Sequence, residues 1–215
     1  MTEWLLLWGS GVGATVWDLH ISGRPCPRCG VSFHKPGPPG RITYETYYDH
    51  GSLLTLNCLA AGIPPLADGP VFAPYAAASA MVDGFALPQR FVVVHCKSNE
   101  TSRDWSVERW RDLVGWMTGA LELDVVEIGT APHVIGQDGQ RARSLCGQLS
   151  IMETAEVIRR ARLFIGIDSG PAHLANAVGT PGVVLLGQYQ SFKAYTVSAQ
   201  PGASTAWPCR VARMA

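Results

Sequence analysis

Residues 163–187 read LFIGIDSGPAHLANAVGTPGVVLLG. Leu163, Phe164, Ile165 and Ile167 form a short apolar run of the buried-strand type. The run breaks at Asp168-Ser169-Gly170, and Pro171 stands where the first helical position is expected, a place at which a missing N–H costs nothing. His173–Val178 is Ala-rich and closes on Gly179, the residue type expected just past a helix end. Val183-Val184-Leu185-Leu186 reads as a second strand. The pattern therefore predicts a strand, a tight turn, a short helix and a strand. It crowds Asp168, Ser169, Gly170 and His173 at the helix start, where unpaired N–H groups and the positive dipole end suit a diphosphate. A plainer alternative has Asp168 and Ser169 capping the helix and His173 packed in the core. Spacing alone does not choose between them.

The run DSGPAHLANAVGTPGVVLLG resembles the Asp-(Ser/Thr)-Gly-x-x-His-Leu-Ala signature of the heptosyltransferase-like glycosyltransferases, glycosyltransferase family nine. The resemblance implies the C-terminal, donor-binding half of a two-domain GT-B fold. It also implies that Asp168, Ser169, Gly170 and His173 belong to a site for a nucleotide-diphosphate sugar.

The chain has 215 residues, 47% of them hydrophobic, enough for one good core. Two full Rossmann-like domains want roughly 300 residues or more, so one half is expected to be reduced. Seventeen basic residues balance seventeen acidic ones, which removes any global pull toward nucleic acid or an anionic membrane. Sparse charge, at 16%, and seven tryptophans point to surface covered by a partner protein or a second copy. Trp4–Trp8 is too short and too acidic in its flank for a signal peptide, and no run reaches membrane-spanning length. Six cysteines, at 26, 29, 58, 96, 146 and 209, follow no disulfide-scaffold rhythm, so a cytoplasmic protein with reduced thiols is expected.

Toward the N-terminus, Trp4–Trp8 reads as a strand running into Gly9-Ser10-Gly11-Val12-Gly13. LLLWGSGVGATVW resembles the opening strand and glycine loop of the family, in which a Gly-Asp pair carries the expected catalytic base. Here the pair is Gly13-Ala14, which leaves Asp18 and His20 as the nearest substitutes. Residues 23–40 are rich in Pro and Gly and read as a bridge across a large deletion. Cys26-Pro27-Arg28-Cys29 has the form of a zinc knuckle, but no second Cys-x-x-Cys exists. His34, His50 and Cys58 would have to fold back to complete it, so no zinc and no cofactor are expected. A helix is expected from Ile42 to Ala61, ending before Gly62-Ile63-Pro64-Pro65.

The second half begins with the buried strand Phe91–His95 and the polar loop Cys96–Asp104. Val107, Trp110, Leu113, Val114 and Met117 then describe one face of a helix. VVVHCKSNETSRDWSVERWRDLV resembles the family's strand, donor-phosphate loop and helix. That likeness implies Arg103 as a diphosphate contact, with Lys97, Ser98 and Thr101 as secondary candidates. Each is otherwise a solvated loop residue. Leu123–Ile128 reads as a strand, 132–148 as irregular, and Glu153–Arg162 as a helix with Ala155, Ile158 and Ala161 inward. GQYQSFKAYTVSAQPG resembles the family's sugar-proximal loop, and the closing helices of a full member are not seen after it.

The expected fold is α/β, a Rossmann-like doubly wound parallel sheet preceded by a reduced N-terminal half. The expected division is 1–63 on the acceptor side, 64–90 as linker and 91–215 as the nucleotide-sugar domain. The resemblance implies an inverting glycosyltransferase passing a sugar, heptose being the family's example, to a glycan or lipopolysaccharide-type acceptor. With no Asp-x-Asp pair, metal-independent transfer is expected. The missing carboxylate at Ala14 supports an alternative, a catalytically silent nucleotide-sugar-binding or assembly subunit working with a partner chain.

Overall fold

The computed structural model describes residues 53–65, 71–136, 139, 141–186 and 209–213, together with isolated positions before residue 53. The chain divides into two compact units, Met1–Asp68 with Ser191–Ala203, and Gly69–Gln190 with Ser204–Ala215.

In the first unit, among the described residues of the stretch 42–61 expected as a helix, the helix is α1, Leu53–Ala60. Thr43 and Thr46 form a separate turn, closed by Thr46 N–H on Thr43 O (3.2 Å) and Thr43 N–H on Thr46 Oγ1 (3.1 Å). Threonine hydroxyls offer the backbone such local partners and so compete with a helix. α1 buries Leu56 and Cys58 and is followed by Gly62, whose φ of +73° suits glycine.

The second unit is a six-stranded parallel sheet, flanked by helices, in the order β3-β2-β1-β4-β5-β6. β1 is Phe91–His95, β2 Asp124–Glu127, β3 Ala142–Ser144, β4 Leu163–Ile167, β5 Gly182–Leu186 and β6 Cys209–Arg213. This is the order of doubly wound nucleotide-binding sheets, which reverses direction between β1 and β4. β1 is buried at all five positions, as a parallel strand covered on both faces requires. Two strands lie in stretches without a strand pattern. β3 falls within 132–148, the stretch expected to be irregular, and β6 lies beyond the stretch that resembles the sugar-proximal loop.

α2, Ala76–Asp83, lies inside the segment expected as linker. A network centred on Glu156 holds it to α4, Ile151–Arg160. The Glu156 carboxylate is 1% exposed and accepts from Ser79 Oγ (2.9 Å), Arg159 Nε (2.7 Å) and Arg160 Nε (2.7 Å). Arg160 also pairs with Asp83 at 2.6 Å. α4 starts on a capping box, Ser150 with Glu153, and Ala155, Ile158 and Ala161 are buried as expected.

α3, Val107–Gly119, is capped by Ser106 and turns Trp110, Val114 and Met117 inward. They pack on Val92, Val94, Val125, Ile165 and Ile167. α5, Gly170–Ala177, carries the Ala-rich turns and is followed by Gly179 at φ +76°. It begins one residue earlier than expected, so Pro171 is its second residue.

Candidate functional site

In open parallel sheets ligands bind beyond the strand carboxyl ends, at the point where strand order reverses. Here that point lies between β1 and β4, paired with Val94 opposite Ile165 and His95 opposite Gly166. Close approach explains the glycine. A Cβ on Gly166 would stand 2.5 Å from the Phe164 ring and 3.2 Å from the His95 carbonyl oxygen.

The turn after β4 carries four of the sequence candidates. Asp168 is only 7% exposed, and among the described residues its carboxylate has no hydrogen bond or ion pair. Ser169 is the N-cap residue of α5, yet its hydroxyl makes no cap bond. Instead Ser169 Oγ lies 3.0 Å from His95 Nδ1 and donates to the Ile167 carbonyl at 3.1 Å. Gly170 opens the helix, and a Cβ there would meet nothing within 4 Å. His173, one turn on, is exposed. The capping and packed-core alternatives therefore fail for Ser169 and His173.

The loop after β1 is organised by Asp104. Its carboxylate accepts from Lys97 Nζ (2.6 Å), the Ser98 backbone N–H (2.7 Å) and Ser98 Oγ (2.8 Å). Burial pushes the Asp104 carboxyl up, but the bonds from Lys97 and Ser98 outweigh it and hold the group below its ordinary value. Thr101–Arg103 forms a 3-10 turn, from which Arg103 Nε donates to Glu100 at 2.9 Å. Lys97 and Arg103 thus each carry an acidic partner within the loop. The β1 and β4 loops leave neighbouring strand ends, and the His95–Ser169 contact joins them.

Two groups here escaped the sequence reading, His95 and Asp104. Burial holds the His95 imidazole down to about 4, against a smaller opposing pull from Asp104, so it is neutral at pH 7. A polar residue closing an otherwise apolar strand was the available signal for His95. The remaining candidates, Asp18, His20 and Cys26, lie outside the described residues, as does Ala14. Cys29 is an exposed free thiol and Cys58 a buried one. Among the described residues no group of three or more His, Cys, Asp or Glu side chains is placed to hold a metal ion, and no helix is long and apolar enough to cross a membrane.

Residues 74–209, more than half of the chain, match the family model described as glycosyltransferase family 9 (heptosyltransferase). Lipopolysaccharide heptosyltransferase 3 of Escherichia coli is 48% identical over 44 residues, which are 20% of this chain and 13% of that protein. The structure of a glycosyl transferase family 9 protein from Veillonella parvula superposes with a TM-score of 0.62 at 17% identity, covering 76% of this chain and 49% of that one. The E. coli ADP-heptose lps heptosyltransferase II gives 0.60 at 18% identity, over 81% of this chain and 57% of that one. At such identities the structural likeness speaks for the fold alone. The chain spans about half the length of these two solved structures.

Proposed function

The chain belongs to glycosyltransferase family 9, and from that membership and its site we propose that it binds a nucleotide-diphosphate sugar and takes part in sugar transfer to a glycan or lipopolysaccharide-type acceptor. The observation that carries this reading is the carboxylate of Asp168 at the β1–β4 switch point, which among the described residues makes no hydrogen bond or ion pair. A carboxylate that no protein donor occupies is open to the donors of a ligand. Next to a diphosphate it would be repelled, so its natural partners are the hydroxyls of the bound sugar. The diphosphate then falls to the start of α5 and to the Lys97, Ser98 and Arg103 loop.

In this proposal the leaving diphosphate is stabilised by protein groups alone, because the sequence has no Asp-x-Asp pair to hold a metal with it. The transfer inverts the sugar, as the family resemblance implies, and needs a base on the acceptor hydroxyl. That requirement is the weak point of this chain, since Ala14 stands where the family carries its carboxylate and Asp18 or His20 must substitute. Loss of a general base removes about 10²–10⁴-fold of rate. The same residue favours a second reading, a binding or assembly subunit whose transfer depends on a partner chain.

A thermal-shift screen of nucleoside diphosphates and their sugars tests the binding claim, because a ligand that binds only the folded state raises its melting temperature. A shift by a nucleotide sugar supports it, and no shift with any member of the panel refutes it. Nucleotide release in the presence of candidate acceptors then separates transferase from silent subunit.

A further inference from the structure

We infer that His95 is a positioning residue: through Nδ1–H it holds the Ser169 hydroxyl away from the α5 cap and so sets the Asp168-Ser169-Gly170 turn in the shape that receives the donor. This rests on the donor-site reading above and deepens it.

The inference starts from an N-cap serine that does not cap. Serine at this position ordinarily turns its oxygen onto the backbone N–H of the first helical turn. Ser169 Oγ instead sits between Ile167 O at 3.1 Å and His95 Nδ1 at 3.0 Å. A carbonyl only accepts, so the single hydroxyl proton goes to Ile167 O. The imidazole must then donate to the hydroxyl oxygen, which puts its proton on Nδ1 and leaves a lone pair on Nε2.

The ring is fixed on its other side as well. Its Cδ2 faces Gly129, in the turn after β2, at 3.8 Å from where a Cβ would stand. Gly129 has φ +153°, a conformation that side chains rarely adopt. The ring also ends β1 opposite Gly166 of β4. His95 therefore lies across the carboxyl ends of β2, β1 and β4, and is buried to 7% exposure. Burial keeps it uncharged, so it competes with neither Lys97 nor Arg103 for a phosphate and acts as a fixed hydrogen-bond donor. The consequence for function is that the Ser169 side chain is withdrawn from the start of α5, where Gly170 borders open space.

Two measurements test this. Nitrogen-15 NMR of the imidazoles in the whole chain, with the His95 signals assigned by their loss in His95→Asn, should show the Nδ1–H tautomer at pH 7. A proton on Nε2 would overturn the inference without any ligand. The second measurement is a binding cycle with a nucleotide-diphosphate sugar over wild type, His95→Leu, His95→Asn, Ser169→Ala and the His95→Leu/Ser169→Ala double variant. Loss of the bond should weaken binding roughly three- to tenfold in His95→Leu. Asn, whose side-chain N–H reaches the place of Nδ1–H, should restore it to within about twofold of wild type. The double variant should be no weaker than the worse single one, since both act through one bond. Wild-type affinity in His95→Leu, or additive losses in the double variant, would overturn the inference and leave the donor site standing. No binding by wild type would bring down the donor-site reading and this inference together, whatever the tautomer.

Discussion

Ser169 Oγ stands 3.0 Å from Nδ1 of His95, so a hydrogen bond joins the end of β4 to the end of β1 where the sheet reverses its strand order. The partners are 74 residues apart in sequence, and burial keeps the imidazole neutral.

That burial has a pH signature. In the unfolded chain an imidazole takes its proton near 6.5, whereas folded His95 does so only near about 4, with Asp104 opposing the shift. The unfolded state therefore binds more protons between those values. The stability contributed by neutral His95 is complete above about pH 6.5 and is lost as the pH falls toward 4, by about 3 kcal/mol. Urea midpoints across this range should fall more steeply for wild type than for His95→Asn. Parallel curves would show that His95 does not titrate as a buried neutral group.

Asp104 should prove structural for the β1 loop. Asp104→Ala removes the acceptor of Lys97 and of both Ser98 donors, at a cost of about 1–3 kcal/mol. Chemical denaturation measures that loss, and the same variant should bind nucleotide sugar more weakly because Lys97 and Ser98 lose their frame. Unchanged stability and affinity would mean that the loop is held by something else.

Glu156 is the acid whose removal should cost most. Glu156→Ala takes the shared acceptor from Arg159, Arg160 and Ser79 and leaves Arg160 with Asp83, and losing these charge-assisted bonds together should cost about 2–3 kcal/mol. Arg159→Ala removes only a half-exposed partner and should cost under about 1 kcal/mol. The bond from Arg159 leads in drawing the Glu156 carboxyl down to about 2, from an ordinary 4.5, against the opposing effect of burial. Its contribution is therefore full above about pH 4.5 and lost as the pH falls toward 2, a window below that of His95. Equal losses in the two variants would contradict this network.

Gly166→Ala tests the close approach of Phe164 and the His95 carbonyl to β4 at Gly166. The added methyl would meet the Phe164 ring and the His95 carbonyl oxygen, which should cost about 1–3 kcal/mol. A thermal melt unchanged from wild type would show that Phe164 can swing aside without penalty.

The strands and helices that carry the site could be read from the chain because each is announced locally. β1 and β4 are unbroken apolar runs, α4 opens on Ser150 and Glu153, and α5 closes on Gly179. The two outer strands escaped for the opposite reason. β3 has three half-buried residues with Arg143 at its centre, and β6 has arginines at two of five positions. An edge strand needs no apolar run, since only its neighbour completes it. α2 was hidden by its place beside prolines, and its helix is secured by Glu156 and Arg160, residues far along the chain. In the site, Asp168 and Ser169 could be found by position. His95 shows in the sequence only as a polar residue closing an apolar strand, and its role depends on a partner that the fold brings near. Ala14, Asp18 and His20, expected on the acceptor side, are legible only as a departure from the family pattern.

The central claim is that Asp168 marks a nucleotide-sugar site, and calorimetric titration of a nucleotide-diphosphate sugar into wild type and Asp168→Asn tests it most directly. Saturable binding is expected in wild type. The isosteric change removes a charge-assisted acceptor worth about 1.5–3 kcal/mol and should weaken binding at least tenfold while the bare nucleoside diphosphate binds as well as before. The same dissociation constant for the sugar nucleotide in both proteins, or none measurable in wild type, would contradict the account.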